Sequence, residues 1–234
     1  MKILIINPNS DPAMTEAIQK TADDFIYGDF EVTCKLTPGA PEFIETYEDE
    51  IEAAPGMIQL IRENKEYDAF IIACHDDPNL DIIKEITKKP VVGIGEASMK
   101  IASMLGHRFS VVSTSKHSIP IKEELARKYH LQDILASVKA PDEDMSEFSE
   151  EERYLEVAKL AIREDMAEVI VLGCAGMTGL DKNLQKKLNV PVLDGVICAL
   201  IIIMGLVKYG VSTSKIRRFN PDWEKEKILN QDMS

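Results

Sequence analysis

Apolar runs of four to six residues alternate with stretches of helical period along the chain, the pattern of βαβ units that feed a parallel sheet. Lys2 to Ile6 reads as the first strand and Asn7-Pro8-Asn9-Ser10 as the loop at its C-terminal end. A helix over 12–25 and a strand over 31–36 follow. The breaker cluster Thr37-Pro38-Gly39-Ala40-Pro41 then separates them from an acidic helix over 47–64. Next come a strand over 68–73, a helix over 80–87, a short strand over 90–92, and a helix that opens at Gly93-Ile94-Gly95-Glu96 and ends near Gly106.

The second half repeats the alternation. A strand from His107 ends in the hydroxyls Ser113, Thr114 and Ser115, and a helix over 120–129 and a strand near 134–138 follow it. Ser149-Glu150-Glu151-Glu152 has the form of a capping box and starts a helix. A strand over 167–172, a helix over 180–188, a strand over 190–193 and an apolar helix over 195–209 complete the pattern, with a polar tail holding Trp223 beyond.

Two of these strands match in detail. Tyr67-Asp68-Ala69-Phe70-Ile71-Ile72-Ala73-Cys74 and Glu168-Val169-Ile170-Val171-Leu172-Gly173-Cys174 are apolar runs that end in a cysteine. Leu80-Asp81 and Leu180-Asp181 stand at equal distances beyond, and Pro90-Val91-Val92 and Pro191-Val192-Leu193 close the match. The chain therefore reads as an α/β protein of two similar parallel-sheet domains related by a pseudo-twofold axis. The division drawn from the sequence places 1–96 with 208–234 around Cys74, and 97–207 around Cys174.

With 234 residues, 45% hydrophobic and 6% aromatic, the chain is long enough to bury a substantial core. The net charge of −13 repels nucleic-acid phosphates and anionic membrane surfaces, so neither is an expected partner. The N-terminal apolar run stops after four residues, too short for a signal peptide, and the run 196–207 is too short to span a bilayer. Four cysteines at wide spacings read as free thiols of a reducing cytoplasm.

Ligands of open parallel sheets bind outside the carboxyl ends of the strands. The loops Asn7 to Ser10, Cys74 to Asn79, Ser113 to His117 and Cys174 to Thr178 all lie at such ends. If the two edges face each other, Cys74 and Cys174 approach one small cavity from opposite sides. Two thiols on opposite faces of one carbon suit stereoinversion: a thiolate removes a proton and a thiol returns one to the far face. No cofactor and no metal is needed. Gly173, Ala175 and Gly176 are small enough to let backbone N–H groups turn toward the negative charge of an enolate.

Ile-Asn-Pro-Asn-Ser at 6–10, Cys74 at a strand end, Pro-Val-Val-Gly-Ile-Gly-Glu at 90–96 and Val-Leu-Gly-Cys-Ala-Gly-Met at 171–177 resemble the hydantoin and allantoin racemase branch of the aspartate/glutamate racemase superfamily. Phe43-Ile44-Glu45 and Val192-Leu193-Asp194-Gly195 fit as well. The resemblance implies an interdomain site, cofactor-independent racemisation by Cys74 and Cys174, and homo-oligomers. It implies Asn7, Ser113, Thr114, Ala175 and Gly176 as ligand contacts, and Ser10 and His75 in the same loops join them as candidates for binding a small-molecule substrate. Many members have an aromatic residue after the first cysteine and glycines further on, where this chain has His75, Asp76, Asp77, Pro78 and Asn79. A more polar wall is expected there.

Other readings of these residues are simpler. Cys34 and Cys198 read as buried apolar groups. Cys74 and His75 could form a hydrolase pair, but neighbours at a strand end point apart. Cys74-His75-Asp76-Asp77 lacks the ligand spacing of a zinc site. Asp76 and Asp77 read as loop solvation or a helix N-cap, and Gly93-x-Gly95 as a tight turn. Acidic 142–152 reads as a solvated face. A free amino acid such as aspartate is the alternative substrate. It would want cations, yet no Arg or Lys lies in the loops 7–10, 74–79 or 174–178, and Lys116 is the only basic residue close by. A binder or redox sensor with facing thiols is the alternative outside catalysis.

Overall fold

Alternate residues of each central strand serve two different cores. In the computed structural model, which describes residues 1–142, 145 and 147–222, Ile3 and Ile5 of β1 (Lys2–Asn7) pack toward one layer of helices while Leu4 and Ile6 pack toward the other. This burial on both faces is why the parallel strands read as continuous apolar runs. Trp223 and part of the acidic run, residues 143, 144 and 146, lie outside the described residues.

The first sheet has the order β2-β1-β3-β4, with β2 at Glu31–Leu36, β3 at Ala69–Ile72 and β4 at Val91–Gly93. The second has the order β6-β5-β7-β8, with β5 at Phe109–Val112, β6 at Leu135–Lys139, β7 at Val169–Leu172 and β8 at Val192–Leu193. Every pairing is parallel. The repetition in the sequence is thus a repetition of topology.

Helix boundaries follow local signals. α1 (Pro12–Phe25) starts with Asp11 accepting from the Ala13 N–H and with proline at its first position. α2 (Tyr47–Glu63) and α6 (Glu150–Glu164) both begin with a capping box, on Thr46 and Ser149. α3 (Leu80–Ile86), α5 (Ile119–Lys128) and α7 (Asp181–Leu188) complete the outer layers.

Two helices cross between the halves. α4 (Ile94–Leu105) turns Met99 and Ala102 to the core of the second sheet and Ile94, Ala97 and Ile101 to the core of the first. α8 (Gly195–Tyr209) follows the second sheet, yet it buries Val196, Ala199, Leu200 and Ile203 with Ile3, Ile5 and Ile71 of the first. The packing therefore runs across the boundary drawn at 207/208. α8 is not buried all round: Ile201 is half exposed. No helix among the described residues is long and apolar enough to cross a membrane.

Candidate active site

Each cysteine leaves its sheet at the same point. The Ala73 N–H donates to the Ile6 carbonyl and the Gly173 N–H to the Val112 carbonyl, both at 2.8 Å, and the next residue is the thiol. The two loops then follow the same course. The Cys74 carbonyl accepts from Asp77 N–H at 3.0 Å and the Asp77 carbonyl from Leu80 N–H at 3.2 Å. Cys174 accepts from Met177 at 3.1 Å and Met177 from Leu180 at 3.2 Å.

A carboxylate ties each loop to the start of a crossing helix. Asp77 accepts from the Gly95 and Glu96 N–H groups at 3.1 and 2.6 Å, at the N-terminus of α4. Asp194 caps α8 through Val196 N–H at 2.8 Å, and its other oxygen accepts from the Thr178 hydroxyl at 2.7 Å and Gly179 N–H at 3.0 Å. The glycines of the Gly93-Ile94-Gly95 segment make room rather than a turn. A Cβ on Gly93 would meet Asp77 Oδ1 at 2.0 Å, and one on Gly95 the His75 carbonyl at 2.3 Å.

Between the two sheet edges lies a cavity of about 260 Å³ that both cysteines line. Asn7, Asn9, Met14, Phe43 and Asp76 reach it from the first half, and Thr114, Ser118, Lys122, Glu150, Ala175 and Gly176 from the second. Both cysteines are free thiols, half-buried, and both line this cavity. Burial pushes the Cys74 thiol strongly up and the Asp76 carboxylate adds to it, while the Lys122 ammonium and the Asp76 N–H oppose. The charge of Cys174 raises it further, so the two sulfurs feel each other. Burial also raises Cys174, opposed by the Gly176 N–H, which donates to Sγ at 3.3 Å, and by Lys122. Cys198 belongs to the core of the first sheet and Cys34 packs against it, and burial pushes both thiols up to about 12.

The cavity gathers some of the residues expected from sequence and leaves others behind. Cys74, Cys174, Asn7, His75, Thr114, Ala175 and Gly176 line it, whereas Ser10 and Ser113 do not. Asn7 is wholly buried, and its amide donates to Asn9 Oδ1 at 2.6 Å and Thr15 Oγ1 at 2.9 Å, so it braces the loop that presents Asn9. Ser113 sits behind the wall and shares a hydrogen bond with Ser118, which lines the cavity in its place. His75 is at the wall, but its ring is buried and turned onto α4. The Ser98 hydroxyl already donates to the Ile94 carbonyl at 2.7 Å, so it accepts from His75 Nε2 at 3.2 Å. Burial, then the charge of Lys122, hold the His75 ring neutral, with its pKa well below the usual value.

The polar wall expected from this loop is supplied by Asp76, which is not loop solvation: it forms an ion pair with Lys122, which is 2% exposed, and both line the cavity. Asp77 does not line the cavity; it is 4% exposed on the start of α4, and burial raises its carboxyl to about 7. The Gly173 and Gly176 N–H groups are committed to Val112 and to Cys174 Sγ, so they do not turn toward a ligand. Lys116, expected to be the nearby cation, pairs instead with Asp142 on the rim of a neighbouring depression. Lys122 is the cation that sequence reasoning missed. Its signal was there: Lys122, Leu125 and Ala126 are the buried residues of α5, so a lysine occupies the apolar stripe of a helix. Among the described residues, no group of three or more His, Cys, Asp or Glu side chains could hold a metal ion.

Comparison with known proteins identifies the family and the fold. The family model described as Asp/Glu/Hydantoin racemase matches residues 3–201. The chain is 37% identical over 235 residues to a hydantoin racemase of Pseudomonas sp. (strain NS671), covering 97% of this chain and 94% of that one. Solved structures of an allantoin racemase from Klebsiella pneumoniae and one from Pseudomonas fluorescens each superpose with a TM-score of 0.88 at 35% identity. They cover 94% of this chain, and 92% and 96% of their own.

Proposed function

The chain belongs to the Asp/Glu/hydantoin racemase family, and from that premise we propose that it inverts the acidic carbon of a cyclic ureide, a 5-substituted hydantoin or allantoin, by two-base proton transfer between Cys74 and Cys174. The observation that carries this reading is that the two thiols end equivalent strands and line one cavity. One cysteine, as thiolate, takes the proton from the ring carbon and becomes a thiol. The electron pair left behind spreads onto the adjacent carbonyl as an enolate. The other cysteine, as thiol, gives its proton to the opposite face and is left as the thiolate. Atoms and charge balance with no cofactor. Positioned acid–base groups of this kind contribute about 10² to 10⁴ in rate.

One observation favours an anionic substrate instead: Lys122 in the cavity could meet the carboxylate of an amino acid such as aspartate. The Asp76 carboxylate already neutralises it, and Glu150 also lines the cavity. A neutral ring suits that balance better, because a second buried carboxylate would have no cation of its own.

Solvent-deuterium exchange on optically pure hydantoins, allantoin and aspartate tests the reading. Wild type should exchange the ring-carbon hydrogen of both enantiomers of a ureide. Cys74→Ser and Cys174→Ser should each abolish racemisation, with exchange surviving for at most one enantiomer. Full racemisation by either variant would remove the two-base assignment. Turnover of aspartate alone would replace the substrate class.

A further inference from the structure

The two cysteine loops are equivalent in backbone but not in charge. At the second residue after each thiol, a backbone N–H eases the sulfur, that of Asp76 for Cys74 and that of Gly176 for Cys174. The side chains differ, since position 76 bears a carboxylate and position 176 has no side chain. In a transfer that moves one negative charge from sulfur to ring to the other sulfur, this carboxylate opposes ionisation at Cys74 more than at Cys174. An unbalanced pair would hold the charge at one end and slow turnover of one enantiomer.

Lys122 comes from neither loop. It projects from α5, is 2% exposed, and its Nζ is paired with Asp76 Oδ1 in the cavity wall. We propose that Lys122 is a positioning residue for the cysteine pair: fixed by Asp76, its ammonium offsets the carboxylate beside Cys74 and serves as the shared positive charge for whichever sulfur is ionised. This rests on reading Cys74 and Cys174 as the proton-transfer pair. The ammonium favours ionisation of both thiols and the carboxylate opposes it at both.

Other ionisable groups share the surroundings. Glu150 at the start of α6 raises Cys174, Glu50 of α2 feels both Asp76 and Lys122, and Glu45 and His117 line the cavity from the β2–α2 loop and the turn before α5. The Tyr154 hydroxyl donates to Glu150 at 2.8 Å, and buried His75 is neutral. Lys122 is the ammonium among the cavity-lining residues.

The test reads the thiols directly. Alkylation of Cys74 and Cys174 by iodoacetamide at one fixed pH of about 9, followed residue by residue by mass spectrometry, reads the thiolate fraction of each sulfur and needs no substrate. Lys122→Met should slow alkylation of Cys74 at least about tenfold, the loss expected for a shift of one pH unit, and slow Cys174 as well. Asp76→Asn should speed Cys74, the double variant should return it toward wild type, and Lys122→Arg should stay near wild type. A Cys74 rate in Lys122→Met within about twofold of wild type would overturn the proposal. If that variant fails to fold, an unchanged Cys74 rate in Asp76→Asn would overturn it equally. Failure of the racemase reading would show separately, as wild type that exchanges no ureide.

Discussion

The Tyr129 hydroxyl donates a 2.6 Å hydrogen bond to Oδ2 of Asp77, so a residue at the end of α5 in the second half holds the loop that presents Cys74 from the first. The same carboxylate binds the start of α4, the helix shared by the two cores. Removing the hydroxyl leaves a buried carboxylate one donor short. Tyr129→Phe should lose about 2 kcal/mol of stability, the usual scale for a hydrogen bond to such a group. Urea unfolding at unchanged m-value measures it, and a loss under 0.5 kcal/mol would show that the contact does not brace the loop.

Asp77 also makes stability depend on pH. Burial, more than any other cause, raises its carboxyl from 3.8 to about 7 in the folded protein. Below the unfolded value both states hold the proton and the contribution is fully present. Between the two values the folded state holds a proton that the unfolded chain has lost, so stability falls as pH rises. Wild type should therefore lose stability relative to Asp77→Asn between about pH 4 and pH 7. Parallel unfolding midpoints for the two proteins across that window would refute it.

Two glycine-to-alanine changes should have opposite signs. A Cβ at Gly95 would lie 2.3 Å from a backbone carbonyl and 2.8 Å from Asp77 Oδ2, so Gly95→Ala must displace the loop of Cys74. A loss of about 3 kcal/mol is expected, with racemisation reduced as well. Gly205 is exposed within α8, and nothing lies within 4 Å of an added Cβ. Gly205→Ala should gain about 0.5–1 kcal/mol through helix propensity. Thermal unfolding of the pair under one buffer compares them.

Asn79 occupies the left-handed region at φ 59°, and its side chain donates to the Glu50 carbonyl at 2.6 Å. Asparagine keeps the conformation and adds a tie to α2. Asn79→Ala should cost about 2 kcal/mol, from the backbone conformation and the lost hydrogen bond together. Asn79→Gly should cost less, because only the hydrogen bond is lost. Equal losses in the two variants would mean that the backbone conformation contributes nothing.

The elements were legible because their signals are local. Proline at the start of α1, the box Ser149 to Glu152, and the apolar strands ending in Cys74 and Cys174 are written in adjacent residues. Apolar period and capping act within a few positions, and they set the strand and helix pattern of both halves. The match between the two cysteine segments likewise needed nothing beyond the chain itself, and it pointed to one plan used twice.

What tertiary structure decided is which side chains meet. Lys122 and Asp76 are 46 positions apart, and neither announces the other in sequence. His75 stands next to Cys74, yet its ring leaves the cavity for Ser98, and Ser113 yields its expected place to Ser118. α8 ends the second repeat but fills the core of the first. Such outcomes depend on how separate elements pack, where a buried charge must find its partner and an apolar helix the face that covers it. The sequence by itself determined the two sheets and the two thiols. Packing decided the charge that lies between them.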